Sequence, residues 1–145
     1  MCVGRLFQVE YAIAAIQNAA AAIGILTQEG IVVVTEKKIS SKLLSPSKSS
    51  EKIYKIADHC FAAVAGLTSD ANILINNARL LAARYEYTYT ESVPVEQLVQ
   101  QLSDYVHGYT QSGGLRPFGV SFLYAGWDRH HGYQLYQSDP SGNYR

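Results

Sequence analysis

Ala19-Ala20-Ala21-Ala22-Ile23-Gly24-Ile25-Leu26-Thr27-Gln28-Glu29-Gly30-Ile31-Val32-Val33-Val34 is the stretch on which the fold turns. Ala22 to Leu26 and Ile31 to Val34 are continuous apolar runs of strand length, and β-branched residues dominate the second. Thr27-Gln28-Glu29-Gly30 between them supplies a turn, so the pattern predicts a β-hairpin. Each run is apolar on both faces, and the hairpin is therefore expected to be covered on both sides. Upstream, Leu6, Val9, Ile13 and Ile16 recur at helical spacing with Phe7 and Tyr11 beside them, which predicts a helix over residues 5–17.

Downstream of the hairpin, residues 35–51 are polar and read as a surface loop, since strands resume at once. Lys52-Ile53-Tyr54-Lys55-Ile56 and the run from Cys60 to Ala65 form a second strand pair around Ala57-Asp58-His59, and Gly66 breaks it. A helix follows, capped by Thr68, Ser69 or Asp70 and reaching about Tyr85, with Ile73, Leu74, Ala78, Leu81 and Ala82 as its apolar face. Pro94 suits the first turn of a further helix, whose stripe of Val95, Leu98, Val99, Leu102, Val106 and Tyr109 is the cleanest periodicity in the chain. Gly113-Gly114 ends it, and Arg116-Pro117 reads as a structural turn before a strand from Gly119 to Gly126. A last strand covers Tyr133 to Gln137, followed by a turn at Asp139-Pro140-Ser141-Gly142. Strand pairs alternating with paired helices argue for an α+β fold in which helices pack on antiparallel sheets.

The bulk properties narrow the function classes. A chain of 145 residues, 48% hydrophobic, is about one domain long. Twelve basic and twelve acidic residues give a formal net charge of +0, which offers no electrostatic footprint for nucleic acid or an anionic membrane. A neutral body resists association poorly, which suits a subunit. No apolar run approaches the roughly 20 residues that span a bilayer. Cys2 and Cys60 read as a terminal thiol and a small buried hydrophobe, consistent with a reducing compartment.

Few constellations promise chemistry. Cys60 and His59 are neighbours, so a strand sends their side chains to opposite faces. No Gly-x-Ser-x-Gly elbow occurs, and Gly113-Gly114 follows a helix where a phosphate loop would open one. Asp128, His130 and His131 read as a solvated turn and not as a metal site, because adjacent histidines diverge. No cofactor is implied.

Four stretches together carry a resemblance. They are Gly4-Arg5-Leu6-Phe7-Gln8-Val9-Glu10-Tyr11-Ala12, Ser50-Glu51-Lys52-Ile53, Gly66-Leu67-Thr68-Ser69-Asp70-Ala71, and Tyr109-Thr110-Gln111-Ser112-Gly113-Gly114-Leu115-Arg116-Pro117-Phe118-Gly119. In this order and spacing the chain resembles the proteasome alpha-type subunits of the 20S core particle, and the run from Gln134 to Tyr144 narrows the likeness to one member type. The resemblance implies a single domain over residues 1–145 with the αββα four-layer sandwich of the N-terminal-nucleophile hydrolases. It also implies a place in a hetero-heptameric ring of alpha subunits stacked on beta subunits, in cytoplasm and nucleus. Ubiquitin recognition would belong to the regulatory cap.

The resemblance also assigns residues. Catalytic beta subunits use an N-terminal threonine at the start of the first strand, whose free amine assists proton transfer. The matching place here is about Ala20, which has no hydroxyl and no free amine; Glu36 and Lys52 stand roughly where the acid and the lysine would be. Thr27 lies at the wrong end of the hairpin. A non-catalytic subunit is expected, with an active N-terminal-nucleophile peptidase, or a truncated paralogue that does not assemble, as the alternatives. Lys52, Gly66 and Leu67 match a pocket between neighbouring subunits that receives the C-terminal tails of regulatory ATPases and other activators: an ammonium captures a carboxylate, and glycine lets a peptide backbone come close. Ala19 stands where some family members have glycine at that pocket's rim. The opening helix would contact ring neighbours through Leu6, Val9, Tyr11 and Ile13. Two departures stand out. Met1-Cys2-Val3 occupies the place of a longer start bearing a Tyr-Asp-Arg gate, and the chain stops within its later strands. The expectation is a subunit truncated at both ends, lacking its gate tail and its second helical pair, with the sheet faces that pair would cover left exposed.

Overall fold

The computed structural model describes residues 7–37 and 51–145. The first helix, α1, spans Phe7–Ile16, and the predicted hairpin forms as β1 (Ala22–Leu26) and β2 (Ile31–Thr35), paired antiparallel with Ile23 opposite Val34 and Ile25 opposite Val32. Thr27 closes the turn, its Oγ1 donating to the Gly30 carbonyl at 2.9 Å. β3 (Ile53–Ala57) and β4 (Cys60–Gly66) follow, then α2 (Thr68–Tyr89), α3 (Val95–Gln111), β5 (Val120–Asp128) and β6 (Gly132–Ser138). Of the polar stretch expected as a surface loop, most lies outside the described residues, as do Leu6 and Cys2.

β3, β4, β5 and β6 form one antiparallel four-stranded sheet in that order, and β1–β2 is a separate two-stranded sheet. Strand alternation splits the four-stranded sheet into two faces. Ile56, Cys60, Ala62, Val64, Val120, Phe122 and Tyr124 join one core cluster with the buried stripes of α2 and α3. The opposite face receives the hairpin: at Gly24 a Cβ would lie 3.1 Å from Leu135 Cδ2 and 3.4 Å from Leu123 Cδ1, so the strand sits closer than a larger residue would permit. The described residues thus build helices, sheet and hairpin in successive layers, an α+β arrangement.

Three sequence expectations need correction. The hairpin is not covered on both sides: Ile23, Ile25, Val32 and Val34 on its outer face are 57–60% exposed, because nothing among the described residues packs there. A two-stranded hairpin also cannot cover a four-stranded sheet. Beside the β1–β2 turn it leaves an apolar cleft of about 800 Å³ lined by Ile31, Ile53, Phe61, Trp127 and Tyr133, among others. In α2, Ile73 is outside the buried face, which is made by Ala71, Leu74, Ile75, Ala78 and Ala82. The helix also runs to Tyr89, with the Tyr85 and Tyr89 rings tilted against each other one turn apart (centroids 4.6 Å), and Thr90 stops it in the left-handed region.

The third correction concerns Asp128, which is buried and not part of a solvated turn. Its carboxylate accepts hydrogen bonds from the backbone N–H groups of Val95 (3.3 Å), His130 (2.9 Å) and His131 (2.7 Å) and from Gln134 Nε2 (2.6 Å). One side chain therefore ties the start of α3 to the β5–β6 turn. Burial pushes its pKa up, but the donors from His131, Gln134, Val95 and His130 together outweigh that and hold it below the usual carboxylate value. Among the described residues no group of three His, Cys, Asp or Glu side chains could hold a metal ion. Cys60 is buried in the helix-facing core, where desolvation pushes its thiol up to about 12 and leaves it unreactive.

Two outcomes follow. Asp128→Asn should cost about 1–3 kcal/mol in urea unfolding, since it removes a charged acceptor from four donors, two of them in buried bonds. Because the folded-state pKa is depressed, the unfolded chain takes up the proton first. The stabilisation is complete above about pH 4 and is lost as pH falls through the folded value, so the difference between parent and variant should shrink on acidification. Separately, the bare hairpin face should drive self-association: sedimentation should show oligomers of the parent chain and a shift toward monomer for Ile25→Thr with Val32→Thr.

Candidate functional site

Antiparallel pairing sets where the predicted site residues meet. The starts of β1, β3 and β5 and the ends of β2 and β4 lie at one end of the layered body, opposite the β1–β2 and β3–β4 turns. Backbone bonds knit this end together. Glu36 N–H donates to the Ala21 carbonyl (3.0 Å), Val64 N–H to the Lys52 carbonyl (2.9 Å), and Leu67 N–H to the Gly119 carbonyl (2.9 Å). Ala20 is buried immediately before β1.

Lys52 is half-buried just ahead of β3 and lines a cleft of about 280 Å³ with Thr35, Glu36, Lys37, Glu51 and Ile53. Glu36 and Lys52, expected from the sequence as the acid and the lysine, therefore do share one cleft. Thr35 is its one hydroxyl among the described residues, and it was not singled out in the sequence. Its hydroxyl belongs to an internal residue at the end of β2, without the free α-amine that a terminal threonine nucleophile uses as its base. Thr27 is committed to the turn at the far end.

Gly66 and Leu67 do not line the Lys52 cleft; they form a separate rim at the same end of the sheet, where β4 passes into α2. Gly66 has φ +134°, and a Cβ there would lie 2.4 Å from the Gly119 carbonyl oxygen and 3.2 Å from Ile16 Cγ2. No side chain fits, so β4, β5 and the end of α1 converge on this one glycine. Leu67 is the N-cap residue of α2 and makes no side-chain cap bond; its side chain is 52% exposed.

Asp70 lies one turn into α2 and is not the cap that the sequence suggested. It is 2% exposed, and it accepts from Arg116 Nη1 (2.7 Å), Arg116 Nη2 (2.8 Å) and the Gly119 N–H (3.0 Å). Arg116 Nη1 also donates to the Pro117 carbonyl (3.1 Å). The Arg116 fork holds the Asp70 carboxyl below its ordinary pKa against the opposing effect of burial, and the Gly119 N–H assists. Sequence reasoning missed this pair because its members lie 46 positions apart, in two different stretches that local patterns do not connect.

The residues expected on the contact helix separate into two sets. Val9 turns into the chain's own body, and Ile13 is half-buried. Tyr11 is 63% and Phe7 53% exposed, with ring centroids 6.5 Å apart, so the outward surface of α1 is aromatic.

This architecture has close kin. The family model described as "Proteasome subunit" matches residues 16–145. The chain is 67% identical over 141 residues to the proteasome subunit alpha type-4-A of Arabidopsis thaliana, covering 97% of this chain and 56% of that protein. It is 66% identical over 141 residues, with the same coverage, both to the alpha type-4-1 subunit of Oryza sativa subsp. indica and to the alpha type-4 subunit of Spinacia oleracea. The chain thus spans 56% of the length of these relatives. With that identity over nearly all its residues, the chain belongs to the proteasome subunit family and is of its alpha type.

Proposed function

We propose that this chain is a non-catalytic structural subunit of the alpha ring of the 20S proteasome. In that role it contributes to ring assembly with other alpha and beta subunits, to docking of activators, and to substrate gating in ubiquitin-dependent protein degradation in cytoplasm and nucleus. The observation that carries the non-catalytic reading is Ala20. The chain has a lysine and an acid in one cleft, while Ala20, at about the place where the resemblance puts the nucleophile, carries no hydroxyl. The relatives' names, all alpha type, point the same way. The αββα sandwich supplies a reason for the bare outer face of the hairpin, since a fourth, helical layer would cover Ile23, Ile25, Val32 and Val34. Phe7 and Tyr11 on α1 offer neighbours an aromatic contact surface.

Lys52 is the proposed receptor for the terminal carboxylate of a regulatory ATPase or activator tail, with Gly66 and Leu67 as the backbone-approaching rim. A half-buried ammonium can make a charge-assisted hydrogen bond to that carboxylate, a geometry an internal peptide carbonyl does not match in charge.

Co-expression of the chain with the remaining alpha and beta subunits, followed by native mass spectrometry, tests the assembly reading. The chain should enter the particle with its amino-terminal segment uncleaved; a product cut near Ala20 would support a processed peptidase instead, and exclusion from every particle would overturn the reading. In that assembled particle, Lys52→Ala should weaken binding of a carboxylate-terminated tail peptide by about tenfold, and should barely change binding of its C-terminal amide, when followed by fluorescence anisotropy.

A further inference from the structure

The rim of the tail pocket is built from backbone, and backbone at a strand-to-helix junction holds its place only if something fixes it. Beyond the pairing of Gly66 with Val120 in the sheet, Leu67 N–H donates to the Gly119 carbonyl of the facing segment. That carbonyl is itself placed by Gly119 N–H, which donates to Asp70. Asp70 is in turn gripped by both terminal nitrogens of Arg116, and Arg116 folds back on the Pro117 carbonyl. The circuit therefore runs Leu67, Gly119, Asp70, Arg116 and Pro117, and it closes through the first turn of α2, where Ala71 N–H donates to the Leu67 carbonyl at 3.0 Å. Space is as tight as the bonding: a Cβ at Gly119 would lie 2.9 Å from Leu67 Cδ1, so the Leu67 side chain rests directly on the Gly119 backbone.

We propose that the Asp70–Arg116 ion pair is the positioning element of the activator-tail pocket: it sets where the Gly66–Leu67 rim stands relative to Lys52, without touching the tail itself. This rests on the tail-pocket reading given above. Bidentate geometry is what the task needs. Two parallel N–H···O bonds fix the orientation of the carboxylate plane as well as its distance, and Asp70 Oδ2 can then present a lone pair to the Gly119 N–H. A lysine at position 116 would neutralise the charge but could not fix that plane. The Arg116 side chain is 66% solvent-exposed whereas Asp70 is 3%, so the pair is anchored on the buried carboxylate and reached from the surface.

The test uses the chain assembled with the remaining alpha and beta subunits, a carboxylate-terminated tail peptide and its C-terminal amide, with anisotropy and amide hydrogen exchange as readouts. In Arg116→Gln the amides of Leu67 and Gly119 should exchange at least about tenfold faster, while those of the hairpin stay unchanged. Both peptides should bind more weakly by the same factor, so that the preference for carboxylate over amide survives. Lys52→Ala should do the reverse, lowering the carboxylate preference with no change in rim exchange. Arg116→Lys, which keeps the charge and leaves a milder defect should Arg116→Gln fold poorly, should restore thermal stability more fully than it restores peptide binding. Parent-level binding in folded Arg116→Gln or Arg116→Lys would overturn the positioning role. Failure of the parent chain to prefer carboxylate, or of Lys52→Ala to lower that preference, would instead overturn the tail-pocket reading on which it rests.

Discussion

A carboxylate removed from water costs several kcal/mol unless its partners replace the lost hydration. Asp70 is buried, and its partners come from two segments far apart in sequence, the Arg116 fork and the Gly119 backbone. That requirement organises one end of the molecule. With the carboxylate satisfied, the start of α2 must stand against the start of β5, and β4 must approach β5 so closely that only glycine fits at position 66. Breaking either partner would leave a charge uncompensated beneath the surface, a far larger penalty than a surface ion pair such as Lys55–Asp58 could incur. Asp128 solves the matching problem at the other end of the sheet with four neutral donors, and with the His131 ring 3.8 Å from its carboxylate.

These two buried carboxylates bracket the four-stranded sheet and fix both ends of its helix-facing side. Asp70 locks the entry of α2, and Asp128 locks the entry of α3. Between them the contact is apolar, with Ala62, Ala71 and Ala78 at 0% exposure packed among Leu74, Ile75, Leu98 and Leu102. The hairpin-facing side has no comparable anchor among the described residues. Its packing rests on Gly24 over Leu123 and Leu135, and it leaves an apolar cleft beside Trp127. The helix side of this body is therefore rigidly specified, while the hairpin side is held by hydrophobic contact alone.

Legibility in the sequence followed the range of the interactions. The α3 stripe, the hairpin and both strand pairs were readable because periodicity and turn chemistry are local: Val95, Leu98, Val99, Leu102 and Val106 are all buried as the spacing predicts. The end of α2 was not, because the left-handed stop at Thr90 and the tilted Tyr85–Tyr89 contact exist only in the folded helix. Asp70 and Asp128 were misread for one shared reason. Local rules place a short acidic residue at a helix start or in a turn as a solvated or capping group, and only the folded chain shows that each reaches a distant backbone. Hairpin coverage failed in the opposite sense. Two-faced apolar strands do predict burial, but they do not say which piece of chain provides it. Of the site, Lys52, Glu36 and Ala20 were placed at one sheet end by resemblance together with strand order; the separation of Gly66 and Leu67 from the Lys52 cleft required coordinates.

Lys52 and Glu36 share a cleft that two separate sheets build between them. Lys52 stands half-buried just ahead of β3, while Glu36 is exposed just after β2. At Ala20 a methyl group packs in a buried position where a hydroxyl would need a hydrogen-bond partner. Capture of a tail carboxylate, as proposed, would ask of Lys52 a positive group within reach of solvent, and its half-buried place in the cleft meets that requirement.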